Sequence, residues 1–380
     1  MTRVGVLGAG QLGRMLALAG LPLGLRFRFL DPSPDPPAAA LGEHVCAAFD
    51  DPAALDRFAE GLDVVTYEFE QVPAASVERL ARRVPVRPGP HSLHVCADRV
   101  TEKRFVREQG FATAPFAEVT DEASLARAIA EVGTPAILKT SRDGYDGKGQ
   151  ARVRTPDEAL AAWRALGARP CVLEGVVPFR RELAVLAVRG VNDDVRVWPL
   201  VETRHEGGVL VSAIAPAPDV SATLQHEAER LAGALARALD HVGVLAIECF
   251  DHDGRLVVNE LAPRVHNSGH WTLEGSHTSQ FENHLRAVLG WPLGDTRMDA
   301  CCGLVNVLGA PPDRAAVLAL PWASLHLYDK PARPGRKIGH VTITAASPRE
   351  WHERARVVEG LLAASSAAAA PGLVEGGVHR

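Results

Sequence analysis

Val257-Val-Asn-Glu-Leu-Ala-Pro-Arg-Val-His-Asn-Ser-Gly-His-Trp271 is the stretch that decides this fold. With Leu256 its apolar start reads as a strand. The strand closes on Asn259 and Glu260, oxygen ligands suited to a hard cation such as magnesium. Pro263 then breaks the backbone, and Arg264, His266, Asn267 and His270 follow, all side chains that can grip a small anion. Just upstream, Ile247-Glu248-Cys249-Phe250 reads as a second strand, joined to the first through Asp251-His-Asp-Gly254. A hairpin here brings Glu248 and Glu260 side by side as magnesium ligands. A hard-metal site beside an anion loop is what chemistry on a nucleotide phosphate requires.

Working outward, Lys139-Thr-Ser-Arg-Asp-Gly-Tyr-Asp-Gly-Lys-Gly-Gln150 sets a strand lysine before a loop dense in glycine. The ammonium of Lys139 suits ATP phosphates, and the core Asp146-Gly-Lys-Gly149 can fold over them with its N–H groups inward. The loop is no P-loop, since G-x-x-x-x-G-K-[ST] is absent. Cys171-Val-Leu-Glu-Gly-Val-Val177 is an apolar strand with an acid near its end, where ribose hydroxyls can be received. A plain capped strand end fits Glu174 equally well, and Glu182 carries the same ambiguity.

Near the start, Gly8-Ala-Gly-Gln-Leu-Gly13 lies between a strand and a helix and matches the dinucleotide fingerprint, with Asp31 at the end of the second strand. Taken alone it admits NAD, or simply the βα turn of any parallel sheet. Alternating strands and helices over 4–86 predict a doubly wound parallel sheet. One helix is expected from about Leu93 to Gln109, and a single strand over Val195–Glu202. From about Cys301 three strands and a closing helix read as a smaller α+β unit. The divisions expected are 1–98, 99–296 with a mobile lid at about 113–180, and 297–380.

Composition is that of an ordinary globular chain: 47% hydrophobic and 23% charged over 380 residues, with net charge −5. That charge argues against general nucleic-acid affinity. No run approaches the ~18 apolar residues of a membrane span. Six scattered cysteines without a C-x-x-C pair, and a start unlike a signal peptide, predict a cytoplasmic enzyme with reduced thiols. Among fifteen histidines, His266 and His270 have helical ligand spacing, but Pro263 and Gly269 disfavour a helix, so zinc is not expected. Tyr328-Asp-Lys330 and Arg333-Pro-Gly-Arg-Lys-Ile-Gly-His340 form a basic, proline-stiffened loop suited to a phosphate. Tyr67-Glu-Phe-Glu70 ends a strand of the first sheet, where such sheets bind ligands.

Together these segments resemble the ATP-grasp superfamily, and within it the 5-(carboxyamino)imidazole ribonucleotide synthase family of purine biosynthesis. The likeness runs from Gly8–Met15 through Ala97-Asp-Arg99, Gly144–Gln150, Glu248–Phe250 and Asn259–Trp271 to Tyr328–Lys330 and Arg333–Lys337. It implies an N-terminal Rossmann-like domain, an ATP-grasp domain and a small C-terminal α+β domain. It also implies a reaction of ATP and bicarbonate with the exocyclic amine of aminoimidazole ribonucleotide, in a homodimer, with magnesium or manganese.

Residue by residue, the resemblance places ATP on Arg99, Lys139, Gly144, Tyr145, Asp146, Gly147, Lys148, Gly149 and Gln150. It adds Glu174, Gly175, Val176, Val177, Glu182, His205, Asn259 and Glu260 to that site. Glu248 and Glu260 would hold the metal. Arg264, His266 and Asn267 would hold bicarbonate and, with Lys330, carry catalysis. Gln11, Leu12, Glu70, Tyr145, Asp146, Lys148, Lys330, Arg336 and Lys337 would meet the ribonucleotide. Lys148 stands where many relatives have arginine, which keeps the charge but loses the planar fork. A formate-using glycinamide ribonucleotide transformylase shares the lid and carboxylates and is the sister alternative. An NAD-dependent oxidoreductase or a nucleotide sensor rests only on the first 31 residues and leaves Glu248 and Glu260 without a use.

Overall fold

The computed structural model describes residues 1–144 and 147–369. Four parallel strands open the chain: β1 (Arg3–Leu7), β2 (Arg26–Asp31), β3 (Glu43–Cys46) and β4 (Val64–Tyr67), in the order β3-β2-β1-β4. Helices Gln11–Gly20, Pro52–Ala59 and Ala74–Ala81 lie between and after them. Parallel strands require such crossovers. The edge strand β3 carries no run of buried apolar residues, which is why its sequence gives no strand signal. The alternation over 4–86 puts a short last strand at Val84–Val86, and this reduces to one parallel bridge, Val65 to Val86.

The helix expected over 93–109 is two helices, Pro90–Cys96 and Arg99–Glu108. The break is chemical. Asp98 adopts an extended conformation, and its carboxylate accepts from the N–H groups of Val100 and Thr101, both at 3.1 Å. Such a cap contributes about 1 kcal/mol and restarts the helix in a new direction.

A second, antiparallel sheet holds β5 (Phe116–Val119), β6 (Ala136–Thr140), β7 (Gln150–Val153) and β8 (Cys171–Gly175), ordered β5-β8-β6-β7. Helices Glu122–Val132 and Pro156–Ala165 bury Leu125, Ala128 and Trp163 against Val119, Leu138 and Leu173. This unit therefore has its own small core.

The third sheet is the largest. It contains β9 (Arg181–Arg189), β10 (Val195–Val197), β11 (Val201–Glu206), β12 (Val209–Ala215), β13 (Gly243–His252), β14 (Arg255–Ala262), β15 (Cys301–Leu308), β16 (Ala323–Leu327) and β17 (Lys337–Ala345). The path is β14-β13-β9-β11-β12-β15-β17-β16, with β10 paired to β9. The single strand expected at 195–202 splits because Trp198 drops into the core, fully buried, with its indole N–H donating to Ser276 Oγ at 3.0 Å. The strands after Cys301 extend this same sheet: Ser212–Ala215 on β12 pair with Cys302–Val305 on β15. Helix Gln280–Leu289 joins the first sheet to the third. Its His284 bonds Thr66 Oγ1 on β4 through Nε2 at 2.8 Å and accepts from Val244 N on β13 at 3.0 Å.

Candidate active site

The hairpin of β13 and β14 forms as its sequence predicts, with Glu248 directly opposite Glu260. The register then shifts, because Cys249 faces Val258 and leaves Asn259 as an extra residue on β14. A bulge re-aims side chains that strict alternation would send to opposite faces. Here Asn259 Oδ1 accepts from Lys139 Nζ at 3.3 Å, while Glu260 pairs with Arg99 at 3.5 Å. Burial, and then the charge of Glu260, push the Glu248 carboxyl above the usual carboxylate range.

Two half-buried acids crowded together fit a bound dication. Among the described residues no three His, Cys, Asp or Glu side chains form a ready metal cage. Magnesium does not need one when phosphates supply its remaining ligands.

Cations face this hairpin from the second sheet and from helix Arg99–Glu108. Glu174 on β8 takes Lys139 Nζ on one oxygen at 3.0 Å and Lys103 Nζ on the other at 3.1 Å. Burial works to raise its carboxyl, but the two lysines outweigh that and lower it. Lys103 is buried and also donates to the carbonyl of Asn259 at 3.0 Å. Sequence reading missed it, although it lies four residues after Arg99 on one helix and so on the same face. Glu102 beside it accepts from Leu261 N at 2.8 Å and fixes β14.

Arg99 itself donates to the carbonyls of Thr140 and Gly144, at 3.0 and 3.1 Å. Tyr145 and Asp146 lie outside the described residues. Gly147 packs on the turn of β11 and β12, where a Cβ on Gly208 would stand 2.6 Å from Gly147 Cα. Gly149 keeps a positive φ of 73° against Thr140; Lys148 and Gln150 are exposed.

At the far end of β8, Gly175 N donates to Pro115 O at 2.8 Å, Val176 is exposed and Val177 half-buried. Glu182 and His205 meet at 2.8 Å. Burial disfavours a charged His205, but the Glu182 bond and the charge of Glu248 outweigh it and raise its pKa.

The segment expected to bind an anion is tightly held. Arg264 makes a two-point pair with Glu70, at 2.6 and 3.3 Å. His266 Nδ1 accepts from Ser268 N at 3.3 Å, and its Nε2 stands 3.5 Å from Glu248. Burial, reinforced by Arg264, lowers its pKa well below the ordinary histidine value, so it offers an N–H rather than a charge. Asn267 is locked in a reciprocal amide pair with Asn306 on β15, at 2.7 and 3.1 Å. His270, grouped with these residues by sequence, is fully buried and bonded to Gln280 instead.

Lys330 reaches across from the last unit to Gln11 Oε1 at 2.6 Å, whereas Leu12 packs into the core. Lys337, at the head of β17, contributes positive charge to both Glu248 and His266, while half-buried Arg336 stays on its loop.

The glycine turn after β1 has a different occupant from the one its fingerprint advertises. Glu68 accepts from Gly10 N at 2.5 Å and Gly13 N at 2.7 Å, and Asp31 from Ala9 N at 2.9 Å. The donors that would cradle a pyrophosphate already hold protein carboxylates. A dinucleotide there would have to displace them.

Two antiparallel sheets closing a glycine loop over paired carboxylates define an ATP-grasp ligase. Family models agree along the chain: a ribonucleotide synthetase preATP-grasp domain matches residues 1–97, an ATP-grasp domain 104–281, and a phosphoribosylaminoimidazole carboxylase C-terminal domain 302–354. An N5-carboxyaminoimidazole ribonucleotide synthase of Pseudomonas aeruginosa is 48% identical, covering 95% of this chain and 100% of its own. The crystal structure of the Thermus thermophilus synthetase superposes with a TM-score of 0.90 at 52% identity, covering 94% of this chain and 98% of that one. The Aspergillus clavatus synthase, solved with ADP and 5-aminoimidazole ribonucleotide, gives 0.89 at 33%, covering 96% and 99%. The chain belongs to the N5-carboxyaminoimidazole ribonucleotide synthase family.

Proposed function

We propose that this chain uses ATP and bicarbonate to carboxylate the exocyclic amine of 5-aminoimidazole ribonucleotide, yielding 5-carboxyaminoimidazole ribonucleotide, ADP and phosphate. The observation that carries this reading is the facing of Glu248 and Glu260 by the anion loop, with His266 Nε2 3.5 Å from Glu248. Glu248 and Glu260 would hold magnesium, which when bound neutralises charge on the β- and γ-phosphates. Arg99, Lys139 and the 144–150 loop hold the phosphate chain, and the 174–177 segment with Glu182 and His205 takes adenine and ribose. Lys139 exchanges Glu174 for a phosphate oxygen, and Lys103 keeps Glu174 neutralised when it leaves.

Bicarbonate, held by Arg264, His266 and Asn267, attacks the γ-phosphorus to give carboxyphosphate and ADP. Carboxyphosphate breaks its C–O bond to CO₂ and phosphate, and the amine of the ribonucleotide captures the CO₂ and gives up a proton to the phosphate just released. Gln11, Glu70, Lys330, Arg336 and Lys337 hold that nucleotide. Holding the amine against nascent CO₂ is worth up to about 7–11 kcal/mol in effective molarity. Water must be kept out while CO₂ is free, which is the work of the glycine loop. The family resemblance adds a cytoplasmic homodimer as the setting.

The test is ADP release from Mg-ATP, with bicarbonate and the ribonucleotide supplied together and singly. Release that requires both supports the reading. Turnover indifferent to bicarbonate, or driven by formate, would overturn it.

A further inference from the structure

The anion loop has a fastening that neither its sequence nor its chemistry announces. Gln280 sits at the start of helix Gln280–Leu289 and is completely buried. Its Oε1 accepts from the backbone N–H of His266 at 2.9 Å, and its Nε2 donates to the backbone carbonyl of the same residue at 2.7 Å. One side-chain amide thus pairs with both backbone groups of a single residue, as a neighbouring strand would. The backbone partners fix which way round the amide lies, because an N–H can meet only its oxygen and a carbonyl only its NH₂. Nε2 also donates to His270 Nδ1 at 3.1 Å, tying down the far end of the loop.

Two further contacts show that the site is built around this side chain. Gln280 N donates to Thr272 Oγ1 at 2.9 Å, and that hydroxyl donates to Gly269 O at 2.6 Å. A Cβ on Gly269 would lie 2.6 Å from Gln280 Oε1, so glycine is what allows the amide this close. His266, Gly269, His270 and Thr272 are therefore each tied to Gln280, directly or through Thr272.

We infer that Gln280 is the positioning residue that aims His266 at the bicarbonate, without touching the anion itself. This rests on the reading of His266 as an anion ligand given above. With the backbone of 266 pinned and Nδ1 taken by Ser268 N, the His266 ring has its Nε2–H fixed beside Glu248. Loosening the pin leaves the anion donor present but unaimed, while the nucleotide groups on Arg99, Lys139 and Glu174 keep their own partners.

The experiment compares Q280M, Q280E and H266N with the unaltered protein, measuring KM for bicarbonate and for ATP at saturating ribonucleotide, with thermal melts alongside. Methionine keeps the unbranched shape and makes none of the bonds. Glutamate keeps the acceptor for His266 N–H, so it decides the matter should Q280M fold poorly. Expected are a tenfold or greater rise in bicarbonate KM for Q280M, a smaller rise for Q280E, and ATP KM within about twofold in both. Unchanged bicarbonate KM in folded Q280 variants, with H266N impaired, overturns the inference and leaves His266 as the ligand. So does an equal rise in both KM values. An unchanged bicarbonate KM in H266N sinks the anion reading itself.

Discussion

Glu248 sits where the charge of Glu260 opposite makes its carboxylate less stable. Burial raises the Glu248 carboxyl first, and the charge opposite raises it further. Like charges held together in a site are a functional signature, because folding alone gains nothing from them. Glu260→Gln should therefore abolish ATP turnover yet leave the melting temperature little changed, since relief of the repulsion on Glu248 offsets the lost pair with Arg99. Thermal melts read beside ADP release check this; turnover retained at saturating magnesium would remove Glu260 from the metal site. At this scale the sequence is informative where the proposed ligands are neighbours in the chain. Glu260 and His266 share one short segment, and Glu248 is one hairpin away. Gln280 and Asn306 were not legible, because each meets the anion loop only after packing brings residues 14 and 39 positions apart together.

Among elements, the β11–β12 hairpin carries the glycine loop. Gly207 and Gly208 both have positive φ, 58° and 80°, and the backbone of both lies against Gly147, but only a Cβ on Gly208 would strike it; a Cβ on Gly207 meets nothing within 4 Å. The two alanine variants therefore share a backbone cost of about 1 kcal/mol and differ in the clash. Gly208→Ala should raise ATP KM several-fold and speed proteolysis in the 141–150 loop, whereas Gly207→Ala should do neither. Equal behaviour of the pair would show that the hairpin does not support the loop. The hairpin is half legible: the sequence pattern runs β11 together with β10 and sets no expectation for β12. The carboxylate hairpin was read correctly because its apolar runs are flanked by turn residues. The sequence runs the two helices over 93–109 into one because an aspartate cap looks like any polar residue until its N–H partners are known.

For the molecule as a whole, neutral histidines fasten the units together. His284 links the first sheet to the third, and His241 is buried between Ser92 Oγ at 2.8 Å and the carbonyl of Val244 at 2.9 Å. Burial lowers their pKa values from 6.5 to about 3 and about 4. Above pH 6.5 neither state is protonated and nothing is lost. As pH falls below that, the unfolded chain takes up protons that the folded chain refuses. Each histidine then costs about 1.4 kcal/mol per pH unit, until its folded pKa is reached. Urea midpoints should fall steeply between about pH 6.5 and 4.5, and His241→Gln should roughly halve the slope that these two residues supply. An unaltered slope in that variant would clear His241 of the role. The parallel sheet was legible from alternation alone. The continuity of the third sheet past Cys301 was not, because the pairing of β12 with β15 joins residues some ninety positions apart.

Glu68 changes what a medicinal chemist should build. The turn it fills reads on paper as an anion receptor, and a phosphate-bearing inhibitor aimed there would meet a carboxylate whose acceptor oxygens face Gly10 and Gly13 from the inside. The complementary fragment is a neutral hydrogen-bond donor, able to share Glu68 with the glycine amides and to lie alongside Gln11 and Lys330. A dinucleotide-enzyme drug would find no foothold in the same place, so the carboxylate doubles as a selectivity filter against that large class of off-targets.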